Sequence, residues 1–188
     1  MKPNEIRQRN STALLIIDMI NNFDFPGGEK LAASSLPVAR KILALKHRAY
    51  KKGIPVIYVN DNFKLWRSSW QEVYQFCSEP DSAGRKVSEL LQPSEKDFFI
   101  LKPRHSAFFN TNLPTLLDDL GTKKLIVTGV AGNICVLFTV NDAYMNDFKI
   151  AVPRDCIASN TKKENDFALK QMKDLMKVNT AAVKGLKL

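Results

Sequence analysis

No apolar run in this chain approaches the roughly 18–20 residues needed to span a membrane, so no membrane partner is expected. The opening stretch MKPNEIRQRN holds no apolar signal core, which sets the expectation of a protein kept in the cytoplasm. Cysteine is scarce. Cys77, Cys135 and Cys156 are odd in number and not tightly spaced, and that excludes a disulfide framework. Acidic side chains are few, 19 against 28 Lys and Arg, for a net charge of +9. Such a surplus invites an acidic partner such as a nucleic acid. Its distribution points elsewhere: the cations lie along helical stretches at 39–53 and 162–177, among apolar positions, with no dense basic block interleaved with aromatics. That is the pattern of a solvated basic surface, and no nucleic-acid partner is expected. Internal repeats, low-complexity tracts and an interdomain linker are also missing. What is present, 188 residues of which 45% are hydrophobic, suits a single domain over 1–188 with a sizeable core.

Apolar runs alternate with helical patterns. TALLIIDM (12–19) is continuous, as in a parallel strand covered on both faces. In 37–53, Val38, Ile42, Leu45 and Ala49 fall at helical spacing and Gly53 supplies a stop. Further strands are expected at 54–60, 97–102, 123–130 and 148–153, and a short sixth at 179–184, with helices near 111–119 and 134–147. The last helix opens on Thr161-x-x-Glu164, a capping box, and would turn Ala168, Met172, Leu175 and Met176 inward. Residues 61–96 are the least regular and too long for a plain connection, so an excursion over one edge of the sheet is expected. The alternation predicts a parallel sheet with helices on both faces, joined by right-handed crossovers.

In such sheets ligands bind beyond the carboxyl ends of the strands. Asp18 ends the first strand, Lys102 the third, and Cys135 follows the fourth in the first turn of a helix. A thiol becomes a good nucleophile when it loses its proton, and a helix start and a nearby ammonium both favour the thiolate. Asp18 can take the thiol proton, hold Lys102 charged, and later protonate a leaving amine. Successive amides from Ala131 to Cys135 can cradle an oxyanion. Taken singly, the same residues have plainer roles: an Asp caps a turn, and a buried Cys is a small hydrophobe.

The pieces LLIIDM with Asp18, LKPRHSAFFNTNL with Lys102, TGVAGNICVLFTVNDAY with Cys135, and VPRDCIAS resemble the isochorismatase-like cysteine hydrolases, over nearly the whole chain. That resemblance implies a three-layer α/β/α sandwich with a six-stranded, mainly parallel sheet. It implies a catalytic triad of Asp18, Lys102 and Cys135, a cis peptide between Val130 and Ala131, and an oxyanion hole from the amides of Ala131 and Cys135. The reaction implied is metal-independent cleavage of an amide or related C–N bond of a small molecule through a thioester. It also implies a homo-oligomer, dimer or tetramer. Nicotinamidases of this group carry a metal-binding Asp-x-His after the second strand. Here Asp61 is followed by Asn62 and Phe63, and the two histidines, His47 and His105, lie elsewhere. No metal and no other cofactor is therefore expected. Many members read Asp-x-Gln at the first motif, where this chain has Asp18-Met19-Ile20.

Phe23, Asn62, Trp66, His105 and Phe108 are the expected substrate contacts, as aromatic walls with a few polar groups are usual in small-molecule sites. Arg104 and Arg67 are candidates to hold a substrate carboxylate, with a surface role as the alternative. His105 would orient substrate or the Lys102 loop. Cys156 is expected to be a packed thiol, with an approach to the site edge as the alternative. A redox-reactive thiol without turnover is the second functional reading and a nucleic-acid module the third.

Overall fold

The computed structural model describes residues 10–188, and residues 1–9, on which most of the targeting expectation rests, lie outside them. Strands β1 (Thr12–Ile17), β2 (Val56–Asp61), β3 (Phe98–Lys102), β4 (Lys124–Val130), β5 (Lys149–Ala151) and β6 (Ile157–Ala158) form one six-stranded sheet. The order is β3-β2-β1-β4-β5, with β6 pairing β4, and every pairing is parallel. Strand β1 shows why it is continuous in sequence. Leu14 and Ile16 join the core on one face, Ala13, Leu15 and Ile17 the core on the other, and all are fully buried.

Helix α1 (Gly28–Lys51), α2 (Trp70–Cys77) and α3 (Arg85–Leu90) cover the first face. On the second lie α4 (Leu113–Asp119), α5 (Leu137–Met145) and α6 (Lys162–Met176). The result is the expected three-layer α/β/α sandwich. The irregular stretch 61–96 is the crossover from β2 to the edge strand β3. It folds into α2 and α3, which lay Val73, Cys77 and Val87 into the core beside α1.

Three features differ from the sequence reading. Helix α1 begins nine residues before Pro37, because its buried stripe of Leu31, Ala32 and Ser35 runs on into Val38, Ala39 and Ile42. Packing of that stripe overrides a proline that costs a helix one hydrogen bond. The sixth strand is 157–158, whereas 179–184 contributes a single bridge from Asn179 to Ala151 and then a short 3-10 turn at Val183–Gly185. Leu175 is 70% exposed instead of inward. Lys177 adopts the left-handed conformation that ends α6, and the Val178 amide folds back to the Met172 carbonyl. Val178 thereby fills the core position that the helical pattern gives to Leu175.

Candidate active site

From β1 the chain builds outward through β2 to β3 and then returns to place β4 on the other side of β1. The crevice beyond β1 and β4 is the topological switch point where such sheets take ligands. Gly129 brings these strands together. Its φ is +116°, it pairs Ile17, and a Cβ there would lie 2.0 Å from the Ile17 carbonyl oxygen.

Asp18 leaves β1 with a positive φ of 49°, its side chain buried. One carboxylate oxygen accepts the Asp61 amide at 2.7 Å and the other lies 2.9 Å from Lys102 Nζ. Lys102, fully buried, reaches from β3 past the end of β2; its Nζ also donates to the Arg104 carbonyl (3.0 Å) and lies 3.6 Å from Cys135 Sγ. The structure thus brings Asp18, Lys102 and Cys135 into one hydrogen-bonded group.

After β4 the Val130–Ala131 peptide is cis. Cys135 then lies in a π-helical turn, Gly132–Val136, ahead of α5 rather than in an α-helix start. The Ala131 carbonyl accepts from the amides of Ile134 (3.0 Å) and Val136 (3.1 Å). Among the described residues the Ala131 amide, just past the end of β4, makes no backbone hydrogen bond outside the helices and strands, and it can serve a ligand oxygen. Ser159 accepts from the Asn133 amide and fixes the turn.

Burial pushes the Asp18 carboxyl above its ordinary value, with the Lys102 ammonium opposing it. Burial is the strongest single influence on Lys102 and works to lower it, but the attractions of Asp18, Cys135 and Asp61 together outweigh it and the net shift is upward. The pair is an ammonium beside a carboxylate made more basic by its surroundings. Burial, helped by the Asp18 carboxylate, also pushes the Cys135 thiol up, and Lys102 offsets this only in part. The shift runs against the expectation of a thiolate made by a helix start, so the helix start alone does not activate the sulfur.

The group opens into a cavity of about 500 Å³. Its walls include the apolar Phe25, Pro26, Leu31, Phe63 and Ile134 and the polar Asn21, Asp61, His105 and Asn160. Of the expected substrate contacts, His105 is there, with Nδ1 3.7 Å from Cys135 Sγ. The other four are elsewhere. Phe23 is core and lines an adjoining cleft of about 690 Å³ that holds no cysteine. Asn62 turns its side-chain oxygen to the Lys64 amide. Trp66, 76% exposed, borders a shallow depression with Arg67. Phe108 packs on Phe148, ring centroids 5.9 Å apart, in the core of the second face. Ile20 is core as well, its amide held by Asn60 Oδ1. Cys156 is packed, its thiol pushed up to about 12 by burial, and Cys77 likewise.

Sequence reasoning missed the residues that tie down the segment just after His105. The Thr139 hydroxyl donates to the Cys135 carbonyl and accepts the Ala107 amide, and Ser106 donates to Asp142. Cys135, Thr139 and Asp142 stand at i, i+4 and i+7, one helix face, and that spacing is legible in the sequence.

The stretch after β2 does not fit a nicotinamidase-type metal. Phe63 packs on Phe76 at 5.7 Å, and among the described residues no group of three His, Cys, Asp or Glu is placed to hold an ion.

Comparison with known proteins bears on this architecture. The isochorismatase domain profile matches residues 12–183. The isochorismatase family protein YaaI of Bacillus subtilis (strain 168) is 46% identical over 164 residues, 87% of this chain and 90% of that protein. The ureidoacrylate amidohydrolase RutB of Acinetobacter baylyi (strain ATCC 33305 / BD413 / ADP1) is 28% identical over 77% of this chain and 70% of its own. Among solved structures, an isochorismatase family protein from Desulfovibrio vulgaris subsp. vulgaris str. Hildenborough superposes with a TM-score of 0.75 at 23% identity, over 93% of this chain and 95% of that one. A domain match over nearly the whole sheet and a near-full-length relative lead to one conclusion: this chain belongs to the isochorismatase family.

Proposed function

We propose that this protein is a cysteine hydrolase that cleaves an amide or related C–N bond of a small molecule, with Asp18, Lys102 and Cys135 as its catalytic residues. One observation carries the reading: at the cavity floor, Cys135 Sγ lies 3.6 Å from a Lys102 ammonium that is itself 2.9 Å from Asp18. As Sγ attacks the substrate carbonyl carbon, its proton passes to Asp18 and the carbonyl oxygen becomes an oxyanion held by the amides of Ala131 and Cys135. Collapse breaks the C–N bond. The proton on Asp18 goes to the departing nitrogen, which leaves as ammonia or an amine, and the acyl group stays on sulfur as a thioester. Water then attacks the thioester and gives its proton to Asp18. The acid departs, and the sulfur recovers that proton. Lys102 remains an ammonium throughout and stabilises the carboxylate and the sulfur anion.

The second functional reading, a redox-reactive thiol without turnover, needs a ready thiolate, and the upward shift of Cys135 disfavours one. The test is an amide panel assayed for released ammonia, with intact-mass detection of the acyl-enzyme. Wild type should turn over at least one amide, and Cys135→Ala should lose at least about a thousandfold in kcat while keeping its circular dichroism. Wild-type turnover by Cys135→Ala would end the covalent mechanism.

A further inference from the structure

The cavity has an unusual charge balance for so basic a chain. Its wall carries two carboxylates, Asp18 and Asp61, and among the described residues no Lys or Arg side chain. Lys102 does not serve as a substrate cation. It is fully buried, and its three N–H groups are directed to Asp18, the Arg104 carbonyl and Cys135 Sγ. The two arginines suited by sequence to bind a carboxylate are absent from the wall. Arg67 borders the outer depression beside Trp66, and Arg104 is exposed, offering the site only its carbonyl. Around Cys135 the charged side chains are thus two carboxylates, Asp18 and Asp61, against one ammonium, Lys102.

Asp61 is the group with capacity to spare. One of its oxygens accepts the Phe63 amide at 2.6 Å, and its backbone amide binds Asp18. Its second oxygen has no protein partner among the described residues. Phe25 and Phe63 line the same cavity, and aromatic faces attract cations as a carboxylate does. A substrate carboxylate entering here would meet two carboxylates, while the one ammonium, Lys102, is already engaged by Asp18, the Arg104 carbonyl and Cys135 Sγ, so its lost water would go unreplaced.

We infer that this cavity selects amides that are neutral or cationic at the end remote from the scissile bond, with Asp61 as the residue that receives that end, and that it rejects amides bearing a carboxylate there. The inference rests on the cavity being the substrate site of the proposed hydrolase.

The test uses Cys135 itself and needs no turnover. Alkylation by iodoacetamide (neutral), iodoacetate (anionic) and 2-bromoethylamine (cationic) is followed at each cysteine by mass spectrometry, with rates normalised to those of a small free thiol. At Cys135 of the wild type, iodoacetate should fall at least tenfold behind iodoacetamide, and bromoethylamine should match or exceed iodoacetamide. Asp61→Asn should shrink the anion–cation spread several-fold, and Asp61→Glu, which keeps the charge, should largely preserve it. Equal rates for anion and cation, a spread insensitive to Asp61→Asn, or no labelling of Cys135 by any reagent would overturn the inference. The two readings fail separately. A protein with this charge preference that hydrolyses no amide loses only the hydrolase assignment. One that hydrolyses carboxylate-bearing amides fastest loses only the substrate class.

Discussion

Asp18 has to act as a base, and its burial helps it do so. Since the folded site raises its pKa, the carboxyl stays protonated, and useless as a base, to a higher pH than an ordinary Asp near 3.9. The acid limb of kcat/KM should therefore rise with pH through a midpoint above that value. No fall should follow near neutrality, because Lys102 is also shifted upward and keeps its proton. A pH–rate profile on any accepted amide checks both; an acid limb at or below the ordinary carboxylate value would contradict this account of Asp18. Asp18→Asn removes the base and leaves Lys102 without its counter-charge, so kcat should drop by about 10²–10⁴. At Gly129 the constraint is steric: the Ile17 carbonyl occupies the space a methyl would need. Gly129→Ala should lower the urea midpoint well beyond the effect of an ordinary substitution of about 1 kcal/mol.

Among the elements, a buried ion pair pins α1 to the start of β3. Lys46 Nζ lies 2.7 Å from Asp97 and donates to the Tyr58 hydroxyl at 2.9 Å, with both charged side chains almost wholly inside. Lys46→Ala would strand the Asp97 carboxylate, and urea denaturation should show a loss of about 3–5 kcal/mol. In the sequence Lys46 looks like one more cation on a basic helix, since burial is decided by what β3 brings against it. The same distinction runs through the fold. Periodicity within one segment revealed β1 to β5, the cap of α6 and the order of layers. Features set by a distant partner stayed hidden: β6, which is only two residues long and exists through its pairing with β4, and the fold-back that puts Val178 where Leu175 was expected. The site divides likewise. Asp18 and Lys102 are legible because they stand at strand ends, and Cys135 because it lies in the turn that follows β4. Asn21 and Asn160 reach the cavity through loops that no local pattern encodes, and Asp61, the last residue of β2, does so through the pairing of β2 with β1.

At the scale of the molecule, the charge of +9 and a cavity with two carboxylates coexist because, Lys46 and Lys102 apart, the cations of the described residues lie at or near the surface, many of them on helix faces. On α6, Lys162 and Lys170 each pair with the Asp four residues on, an arrangement of solvated helices. The sheet itself couples two cores, with Leu45 of α1 in one and Leu117 of α4 in the other. Residues of β1 alternate between them, so neither core can be lost without exposing the back of the other. One cooperative transition is therefore expected for a chain of this size. Leu45→Ala and Leu117→Ala should each cost about 2–5 kcal/mol, and the double variant should show their sum within about 0.5 kcal/mol, as for distant sites. Trp70 supplies a local reporter, since it stacks on Phe99 at the sheet edge with centroids 5.8 Å apart. If the sandwich unfolds as a unit, urea curves from tryptophan fluorescence and from far-ultraviolet circular dichroism will coincide in wild type and in both single variants. If the 61–96 crossover melts on its own, fluorescence will fall first, and Leu45→Ala, which loosens the core that α2 and α3 share with α1, will widen the gap while Leu117→Ala leaves it unchanged.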